Sequence, residues 1–569
     1  MYFNSNGAEE VTYDAIVIGS GISGGWAAKS LCEGGLKTLV LERGRMVKHG
    51  DYPTANMEDW ELPNRNRMTP EEMKDYPVQS RTGYTINPAQ IHWWPKDTEH
   101  PYTEVKPFDW IRAYHVGGRS LLWGRQSYRL SQMDFEANLK EGVAVDWPVR
   151  FDDIKPWYDK VESFIGVSGQ NEGLSQLPDG NYLPPMEMNC IEKQVKERIE
   201  SKFPGRKMTI GRTAHITSEG GHNGRGQCLS RNRCMRGCPF GAYFSSNAST
   251  LPAAESTGNL TIRPFSIVTE IIFDDKTQKA KGVRIMDSET KETKEYFARV
   301  IFMCASTLGT AQILLNSVSE RFPNGFGNDS GELGHNLMDH HFRLGAGGKS
   351  DDFKDMYYLG RRPNGIYIPR FVNLDEKTKR KDYIRGFGYQ GGGGRDGWGR
   401  YIAEANYGKG LKDALGQPGD WSFGIMGFGE CLPYHENKVT LNKDVKDIFG
   451  LHTLSLDAEW KENEKAMRKE MMSAAAEMLE AAGLKDVNTY DSGCNPGLGI
   501  HEMGTARMGR DPKTSVLNKW NQMHAVSNVF VTDGSFMTSA GCQNPSLTYM
   551  AFTARAADYA IKQLNNNAL

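Results

Sequence analysis

The stretch that decides the fold is Tyr13-Asp-Ala-Ile-Val-Ile-Gly-Ser-Gly-Ile-Ser-Gly24, followed by Thr38-Leu-Val-Leu-Glu42. Residues 13–18 and 38–41 are short, apolar and rich in β-branched side chains, which predicts two buried parallel strands. The residues between them predict a helix that ends at Gly34-Gly35. The Gly-x-Gly-x-x-Gly pattern thus lies between a strand and a helix, with an acid 18 residues after its last glycine. This context predicts a dinucleotide-binding βαβ unit.

Each glycine of this turn has a predicted purpose. Gly19 allows the tight turn, Gly21 lets backbone amides approach a pyrophosphate, and Gly24 lets the helix pack closely on the strand. The helix N-terminus directs the positive end of its dipole at the phosphates. Glu42 is expected to accept hydrogen bonds from ribose hydroxyls. The pattern does not separate NAD from FAD, but a single copy at the start of a long chain favours FAD; the alternative is a purely structural turn.

Bulk composition excludes several classes of protein. A chain of 569 residues is too long for one ordinary core, so two or more substructures are expected. The net charge of -2 provides no electrostatic basis for binding nucleic acid or an anionic membrane. No run of about eighteen apolar residues occurs, so no transmembrane segment is predicted. Residues 1–10 lack the basic and apolar regions of a signal peptide.

Three of the nine cysteines, Cys228, Cys234 and Cys238, fall within eleven residues. This density is typical of metal or iron–sulfur sites, and a proline directly after the last cysteine is common in ferredoxin-like runs. Three thiolates match a [3Fe-4S] cluster better than a four-cysteine cluster. The alternatives are a zinc site with His222 or another histidine as fourth ligand, or thiols that bind no metal. The remaining cysteines are scattered, which disfavours a disulfide framework.

Further segments carry the patterns of a cofactor site. Residues 114–124 form a second glycine-rich segment that can place backbone amides against a phosphate or a flavin. Residues 302–316 predict a strand, a turn of small residues and a helix, which is the local pattern of a second approach to a dinucleotide. The C-terminal part contains His501-Glu-Met-Gly-Thr and Gly541-Cys-Gln-Asn-Pro545.

Together with Gly334-His-Asn-Leu-Met-Asp-His340, these segments span the chain in the order found in the glucose–methanol–choline (GMC) oxidoreductases, which the sequence strongly resembles. The resemblance implies an α/β fold with a Rossmann-like FAD-binding domain and a discontinuous, sheet-based substrate domain. It implies FAD as cofactor and oxidation of an alcohol by a histidine paired with a second histidine or an asparagine. His501 and Asn544 fall on these two positions. The implied cofactor contacts are Gly19, Gly21, Ser23, Gly24, Glu42, Arg43, Gly117, Gly118, Ser120, Leu122, Trp123, Gly124, Val268, Ala305, Asp533, Gly534, Asn544 and Pro545.

The chemistry agrees with these assignments. Oxidising an alcohol requires loss of the hydroxyl proton and transfer of a hydride to flavin N5. A neutral imidazole at His501 is a suitable base, and the amide of Asn544 can bind the developing alkoxide. Asn544-Pro545 is also typical of a helix N-cap followed by proline at the first helical position. It predicts a helix over 546–561 with its positive end towards the flavin.

The family's organisation predicts a divided chain. The FAD-binding domain is expected over 1–60, 105–150, 225–345 and 495–569, with the cluster segment at 228–238, and the substrate domain over 61–104, 151–224 and 346–494. Three further features concern the substrate side. Residues 464–482 predict an amphipathic, methionine-rich core helix, and Gly391–Gly394 is expected to be a lid or a surface loop. Trp93-Trp94 is expected either to pack in a core or to offer rings for sugar contact.

The cysteine run resembles that of the large subunits of bacterial membrane-linked sugar dehydrogenases, several of which carry a [3Fe-4S] cluster with this spacing. This resemblance implies electron transfer to a cytochrome c, a small subunit with a twin-arginine export signal, and a periplasmic location (cytoplasmic if the chain is expressed alone). The expected reaction is oxidation of a pyranoside C3 hydroxyl to a 3-keto sugar. The alternatives are C1 oxidation of a free sugar, an oxygen-using oxidase, and a non-catalytic electron carrier that binds flavin and zinc.

Overall fold

The structure is a computed structural model that describes residues 11–83, 85–357, 362–397 and 407–569. Residues 1–10, on which the signal-peptide expectation depends, lie outside these ranges. The strands are β1 (Thr12–Ile18), β2 (Thr38–Leu41), β3 (Thr103–Glu104), β4 (Thr209–Ile210), β5 (Leu260–Arg263), β6 (Ser266–Asp274), β7 (Lys279–Asp287), β8 (Thr293–Met303), β9 (Leu344–Ser350), β10 (Ile366–Ile368), β11 (Phe387–Arg395), β12 (Trp421–Gly429), β13 (Lys438–Lys446), β14 (His452–Asp457), β15 (Lys485–Asp491) and β16 (Val529–Val531). The helices are α1 (Ile22–Glu33), α2 (Pro70–Met73), α3 (Pro77–Thr82), α4 (Gln132–Glu141), α5 (Phe151–Ile165), α6 (Cys190–Lys202), α7 (Thr250–Glu255), α8 (Thr307–Asn316), α9 (Gly408–Leu415), α10 (Glu462–Ala481) and α11 (Ser546–Asn565).

The largest sheet has seven strands in the order β5-β2-β1-β8-β7-β6, and β16 pairs with the C-terminal half of β8. The five strands β5, β2, β1, β8 and β16 are parallel, whereas β6 and β7 add an antiparallel extension. Ile16 lies opposite Leu39 on one side and Ile301 on the other, and all three are buried. The two strands predicted at the N-terminus are confirmed, because runs of apolar β-branched residues suit a strand covered on both faces.

The carboxyl ends of β1, β2 and β8 lie at the same edge of this sheet. The β1–α1 turn and the β8–α8 turn both leave the sheet there. Such an edge of parallel strands is where α/β folds bind ligands. Helix α1 packs between α7 and α11, and Trp26 on α1 is fully buried.

The second sheet has six antiparallel strands in the order β15-β9-β12-β11-β10-β4. Helices α6 and α10 cover one face, where Met467, Met471 and Met478 are fully buried. The prediction of a methionine-rich core helix is therefore confirmed.

The expectation that Gly391–Gly394 is a lid or a surface loop is wrong. These glycines belong to β11, which pairs with β12 over its whole length. The lack of side chains lets α6 approach the strand closely, since a Cβ on Gly393 would lie 2.2 Å from Cγ2 of Ile191. A run of glycines can thus mark close packing rather than mobility.

A small sheet, β13-β14-β3, packs against α8. None of the described helices has both the length and the apolar character needed to cross a bilayer. The boundaries of the two predicted domains remain a prediction, although the strands of the largest sheet come from three separate parts of the chain, 12–41, 260–303 and 529–531.

Candidate active site

A cavity of about 430 Å³ opens at the carboxyl edge of the large sheet. Its lining includes the β1–α1 turn, the glycine-rich segment near residue 118, the β8–α8 turn and the C-terminal segments. The predicted site residues that line it are Gly19, Gly21, Ser23, Glu42, Arg43, Gly118, Ser120, Leu122, Trp123, Gly124, Val268, Ala305, His501, Asp533, Gly534 and Asn544. One cavity therefore gathers side chains from segments that are up to several hundred residues apart.

Three predicted cofactor contacts do not line this cavity. A Cβ on Gly24 would lie 1.9 Å from the carbonyl oxygen of Gly19, so Gly24 faces protein. Gly117 has φ +90 and faces the side chain of Asn247. Pro545 is the N-cap residue of α11. These three residues therefore belong to the segments that form the cavity wall, but they do not face the cavity.

The wall at the β1–α1 turn fits a dinucleotide. Gly21 has no atom within 4 Å of the position of a Cβ, which leaves open space directly before α1. Glu42 is buried, accepts hydrogen bonds from the Ser20 hydroxyl (2.6 Å) and the Gly44 N–H (3.1 Å), and borders the cavity. The Arg43 guanidinium lies 4.0 Å over the Tyr114 ring, and its buried Nη2 lies 3.7 Å from Oδ2 of Asp447, an ion pair longer than a hydrogen bond. The open space at Gly21, directly before the N-terminus of α1, is where the phosphates of a dinucleotide would fit.

At the catalytic part of the cavity, the side chains of His501 and Asn544 meet. Nδ2 of Asn544 lies 3.4 Å from Nε2 of His501. On its other side, the Asn544 amide oxygen accepts a hydrogen bond of 2.6 Å from Nε2 of Gln390 on β11. The sequence did not reveal Gln390, because it lies in β11 directly before the glycine run and no spacing links it to the C-terminus.

The predicted helix beginning at this site is confirmed, but its cap is not. Helix α11 begins at Ser546 with Pro545 as N-cap, whereas proline at the first helical position and Asn544 as cap were expected. The Asn544 side chain contacts Gln390 and His501. The Asn544 side chain therefore lies in the cavity wall and does not cap the helix.

His501 also contacts a second imidazole that the sequence did not reveal. Its Nδ1 lies 2.8 Å from Nδ1 of His340, and Nε2 of His340 lies 2.8 Å from the carbonyl oxygen of Gly541. His340 is fully buried and comes from a segment 161 residues earlier in the chain. The segment 334–340 contributes to the family resemblance, but nothing in its pattern indicates which side chain reaches the site.

Asp339 holds the backbone that carries His501. Its carboxylate accepts hydrogen bonds from the backbone N–H groups of Gly497 (2.8 Å), Gly499 (2.8 Å) and His501 (3.1 Å). Between the last two donors lies Ile500, whose φ is +57. A β-branched residue rarely adopts this left-handed conformation, so the surrounding contacts must hold it there.

The electrostatic environment keeps the imidazoles neutral. Burial, together with His340 and the Arg119 cation, lowers the pKa of His501 well below its usual value. Burial lowers the pKa of His340 to about 4. Arg119 lines the cavity and pairs with the buried carboxylate of Glu502 through two hydrogen bonds of 3.1 and 3.0 Å. A neutral imidazole is the form that can accept a proton.

The cysteine segment lies beside the cavity wall. Met235 packs against a buried cluster that includes the cavity-lining Leu122, and Sγ of Cys234 lies 3.8 Å from Nε2 of the buried His215. Trp94 lines the cavity as well, whereas Trp93 is buried with its ring 5.0 Å from that of His115.

The predicted [3Fe-4S] site at Cys228, Cys234 and Cys238 is not supported. Over the described ranges, no group of three or more His, Cys, Asp or Glu side chains is arranged to hold a metal ion. The three cysteines therefore do not fit a cluster as they are placed.

A dinucleotide cavity that meets a neutral histidine and an amide donor is the arrangement of a flavin-dependent oxidoreductase acting on a hydroxyl group. The chain belongs to the GMC oxidoreductase family, whose N-terminal model matches residues 13–342 and whose C-terminal model matches residues 433–553. FAD is the cofactor that this membership and the cavity support.

Individual relatives cover nearly the whole chain. It is 29% identical to 2-methyl-1,2-propanediol dehydrogenase of Mycolicibacterium austroafricanum, over 97% of this chain and 96% of the relative. It is 26% identical to the fructose dehydrogenase large subunit of Gluconobacter japonicus, over 98% and 99%. Among solved structures, a variant of formate oxidase from Aspergillus oryzae has the same fold, with a TM-score of 0.62 at 15% identity and full coverage of both chains.

Proposed function

We propose that this protein is an FAD-dependent dehydrogenase that oxidises a sugar hydroxyl, with the C3 hydroxyl of a pyranoside as substrate and a 3-keto sugar as product. The observation that carries the proposal is the pairing of His501 with Asn544 in the wall of the cofactor cavity. Two relatives are named as dehydrogenases of a diol and of fructose, which supports an alcohol or sugar as the substrate class. The choice of C3 over C1 rests on overall likeness to pyranoside dehydrogenases.

The side chains of the site divide the work. FAD, when bound, supplies the acceptor for the hydride that leaves the carbinol carbon. A substrate hydroxyl that approaches from the cavity can donate to Nε2 of His501 while it accepts from Nδ2 of Asn544. It would replace the direct contact of 3.4 Å that these two nitrogens make with each other. As the proton moves to His501, the Asn544 amide stabilises the developing alkoxide.

A dye-linked screen tests the proposed substrate. The panel contains glucose, methyl glucosides, disaccharides, fructose and gluconate, and NMR of each product locates the oxidised carbon. Activity on glycosides blocked at C1 supports the 3-keto product, and activity confined to free reducing sugars overturns it. Hydrogen peroxide formed as fast as dye is reduced would indicate an oxidase. A protein with bound flavin and no turnover of any hydroxylated compound would indicate an electron carrier.

The pH dependence of flavin reduction follows from the environment of His501. Its pKa is lowered, so the base is neutral at and above the usual imidazole value of about 6.5. Protonation abolishes the base only when the pH falls through this lowered pKa. Protonation of His501 is therefore expected to leave the rate constant for anaerobic flavin reduction by substrate unchanged above pH 6.5 and to lower it only on the acid side. Stopped-flow absorbance at 450 nm, about the flavin maximum, measures it.

Asp339 supplies the internal control for this profile. Burial raises the pKa of Asp339 to about 7, so this carboxyl, which holds the backbone of His501, also titrates close to neutrality. If the rate constant falls near pH 7 in the parent protein but not in Asp339→Asn, that change is due to titration of Asp339. If the rate constant still falls near pH 7 in Asp339→Asn, the pKa of His501 is not lowered.

Iron–sulfur chemistry is a separate proposal with support from the sequence alone. The cysteine run favours a [3Fe-4S] cluster, whereas the placement of the three thiols does not. Metal and sulfide analysis of the purified protein decides between them. About three to four iron atoms per chain, together with sulfide, would support the cluster. One zinc per chain, or no metal, contradicts it.

We also propose a heteromer with a small twin-arginine-exported subunit and a cytochrome c, located in the periplasm. The support is the resemblance of the cysteine run and a relative that is named as a large subunit. Co-expression with the small subunit should place the complex outside the cytoplasmic membrane. A chain that is stable, active and able to reduce its natural acceptor without any partner would contradict an obligate complex.

A further inference from the structure

Five groups at the active site form one continuous chain of hydrogen bonds. In order they are the Gly541 carbonyl, His340, His501, Asn544 and Gln390. The contact distances are 2.8, 2.8, 3.4 and 2.6 Å. Imidazole and amide groups can each be arranged in two ways, so such a chain can run in either of two directions.

The Gly541 carbonyl determines the direction, because a carbonyl oxygen can only accept. Nε2 of His340 must therefore carry a proton. His340 is fully buried and neutral, so its Nδ1 is unprotonated and accepts. The proton in the contact between the two Nδ1 atoms then belongs to His501.

The rest of the chain follows from this proton. With Nδ1 of His501 protonated, a neutral imidazole leaves Nε2 with a free lone pair. Asn544 must then present its Nδ2–H to this atom, and its oxygen must accept from the Gln390 amide. Each of the four contacts thus has one donor and one acceptor, and the direction is the same throughout.

We propose that His340 is a positioning residue that fixes the tautomer of His501, so that Nε2 is the proton acceptor that faces the cavity. This inference rests on the proposed function. In the other tautomer, Nε2 would carry a hydrogen and could not take the substrate proton. When His501 does accept that proton, its Nδ1–H bond to His340 becomes charge-assisted and stronger, so the same contact also stabilises the product of proton transfer.

Two substitutions of His340 test its two hydrogen bonds separately, the one from Nδ1 to His501 and the one from Nε2 to the Gly541 carbonyl. In His340→Asn, the amide oxygen occupies the place of Nδ1 and still accepts from His501. In His340→Gln, the longer amide reaches the Gly541 carbonyl but leaves no acceptor at the place of Nδ1. Flavin reduction by substrate is expected to slow about 10²-fold in His340→Gln, and to remain within about tenfold of the parent in His340→Asn. FAD content and melting temperature of both variants are measured alongside.

A second readout needs no substrate. In the FAD-loaded protein with ¹⁵N-labelled imidazoles, the ring-nitrogen signals that disappear in His501→Ala belong to His501. They are expected to show a protonated Nδ1 and an unprotonated Nε2, and to shift towards the other tautomer in His340→Gln. His341→Gln is the matched control, because His341 is also buried and adjoins His340, but its ring packs against Trp460. That variant should keep the tautomer signals of His501.

The outcomes are distinguishable from failure of the proposed function. A His501 with a protonated Nε2 in the parent protein overturns the inference, and so does equal activity of His340→Gln and His340→Asn at equal FAD content. If the parent protein oxidises no sugar, the proposed function fails, while the nitrogen signals still decide the tautomer.

Discussion

His501→Ala is expected to slow anaerobic reduction of the bound flavin by substrate by about 10²-fold or more. The variant removes the only imidazole that lines the cavity among the described residues. Without it, the substrate hydroxyl must lose its proton to water. The measurement is a stopped-flow single turnover with substrate in excess, so that the rate of reduction and not the rate of reoxidation is followed.

The control for this variant is its FAD content and its melting temperature. His501 does not belong to the β1–α1 turn, so FAD content and melting temperature should match those of the parent. His501→Gln keeps polar bulk and should lose a similar factor, because an amide cannot serve as a base. Flavin reduction at the parent rate in either variant would remove His501 from the mechanism.

Gly24→Ala is expected to abolish the folded, FAD-containing protein. The added Cβ would lie 1.9 Å from the Gly19 carbonyl oxygen; Gly24 belongs to α1, and Gly19 belongs to the turn directly after β1. Neither can move without separating the helix from the sheet, so we expect a cost of about 3 kcal/mol or more in the free energy of unfolding. Soluble yield, melting temperature and absorbance at 450 nm, about the flavin maximum, are the measurements.

Gly21→Ala is the matched control, because it separates the fold from the cofactor. Gly21 has φ −69, an ordinary value for alanine, and its Cβ would meet no atom within 4 Å. The apoprotein should therefore melt like the parent. FAD affinity should fall, since the methyl group stands where the pyrophosphate approaches the turn. A Gly21→Ala protein that holds FAD at parent affinity would show that the phosphates bind elsewhere, and a stable Gly24→Ala protein would contradict the packing argument.

Local patterns predicted the parts of the fold that local chemistry determines. The strands β1 and β2 agree with the expected ranges to within one residue, and α8 lies in the predicted strand–turn–helix segment. A buried parallel strand requires an apolar run and a phosphate turn requires its glycines, and both requirements are visible over a few residues. The methionine-rich helix α10 was predictable for the same reason.

The rest depended on contacts between distant segments. The glycines of β11 gave the pattern of a loop, because the side chain that fills the space above them belongs to Ile191 on another element. Gln390 and His340 reach the site from 154 and 161 residues away from their partners. No periodicity within either segment records such a distance. Asn544 and Pro545 had the composition of a cap, but the amide is engaged in the cavity.

The left-handed Ile500 has a consequence for thermal inactivation. Backbone strain of this kind costs about 1–3 kcal/mol, and Asp339 holds the backbone N–H on each side of it. Local opening of this loop releases the strain, so it requires less free energy than unfolding of the sheets. On gradual heating, the enzyme should lose turnover before it loses its flavin or its secondary structure, and should recover turnover on cooling.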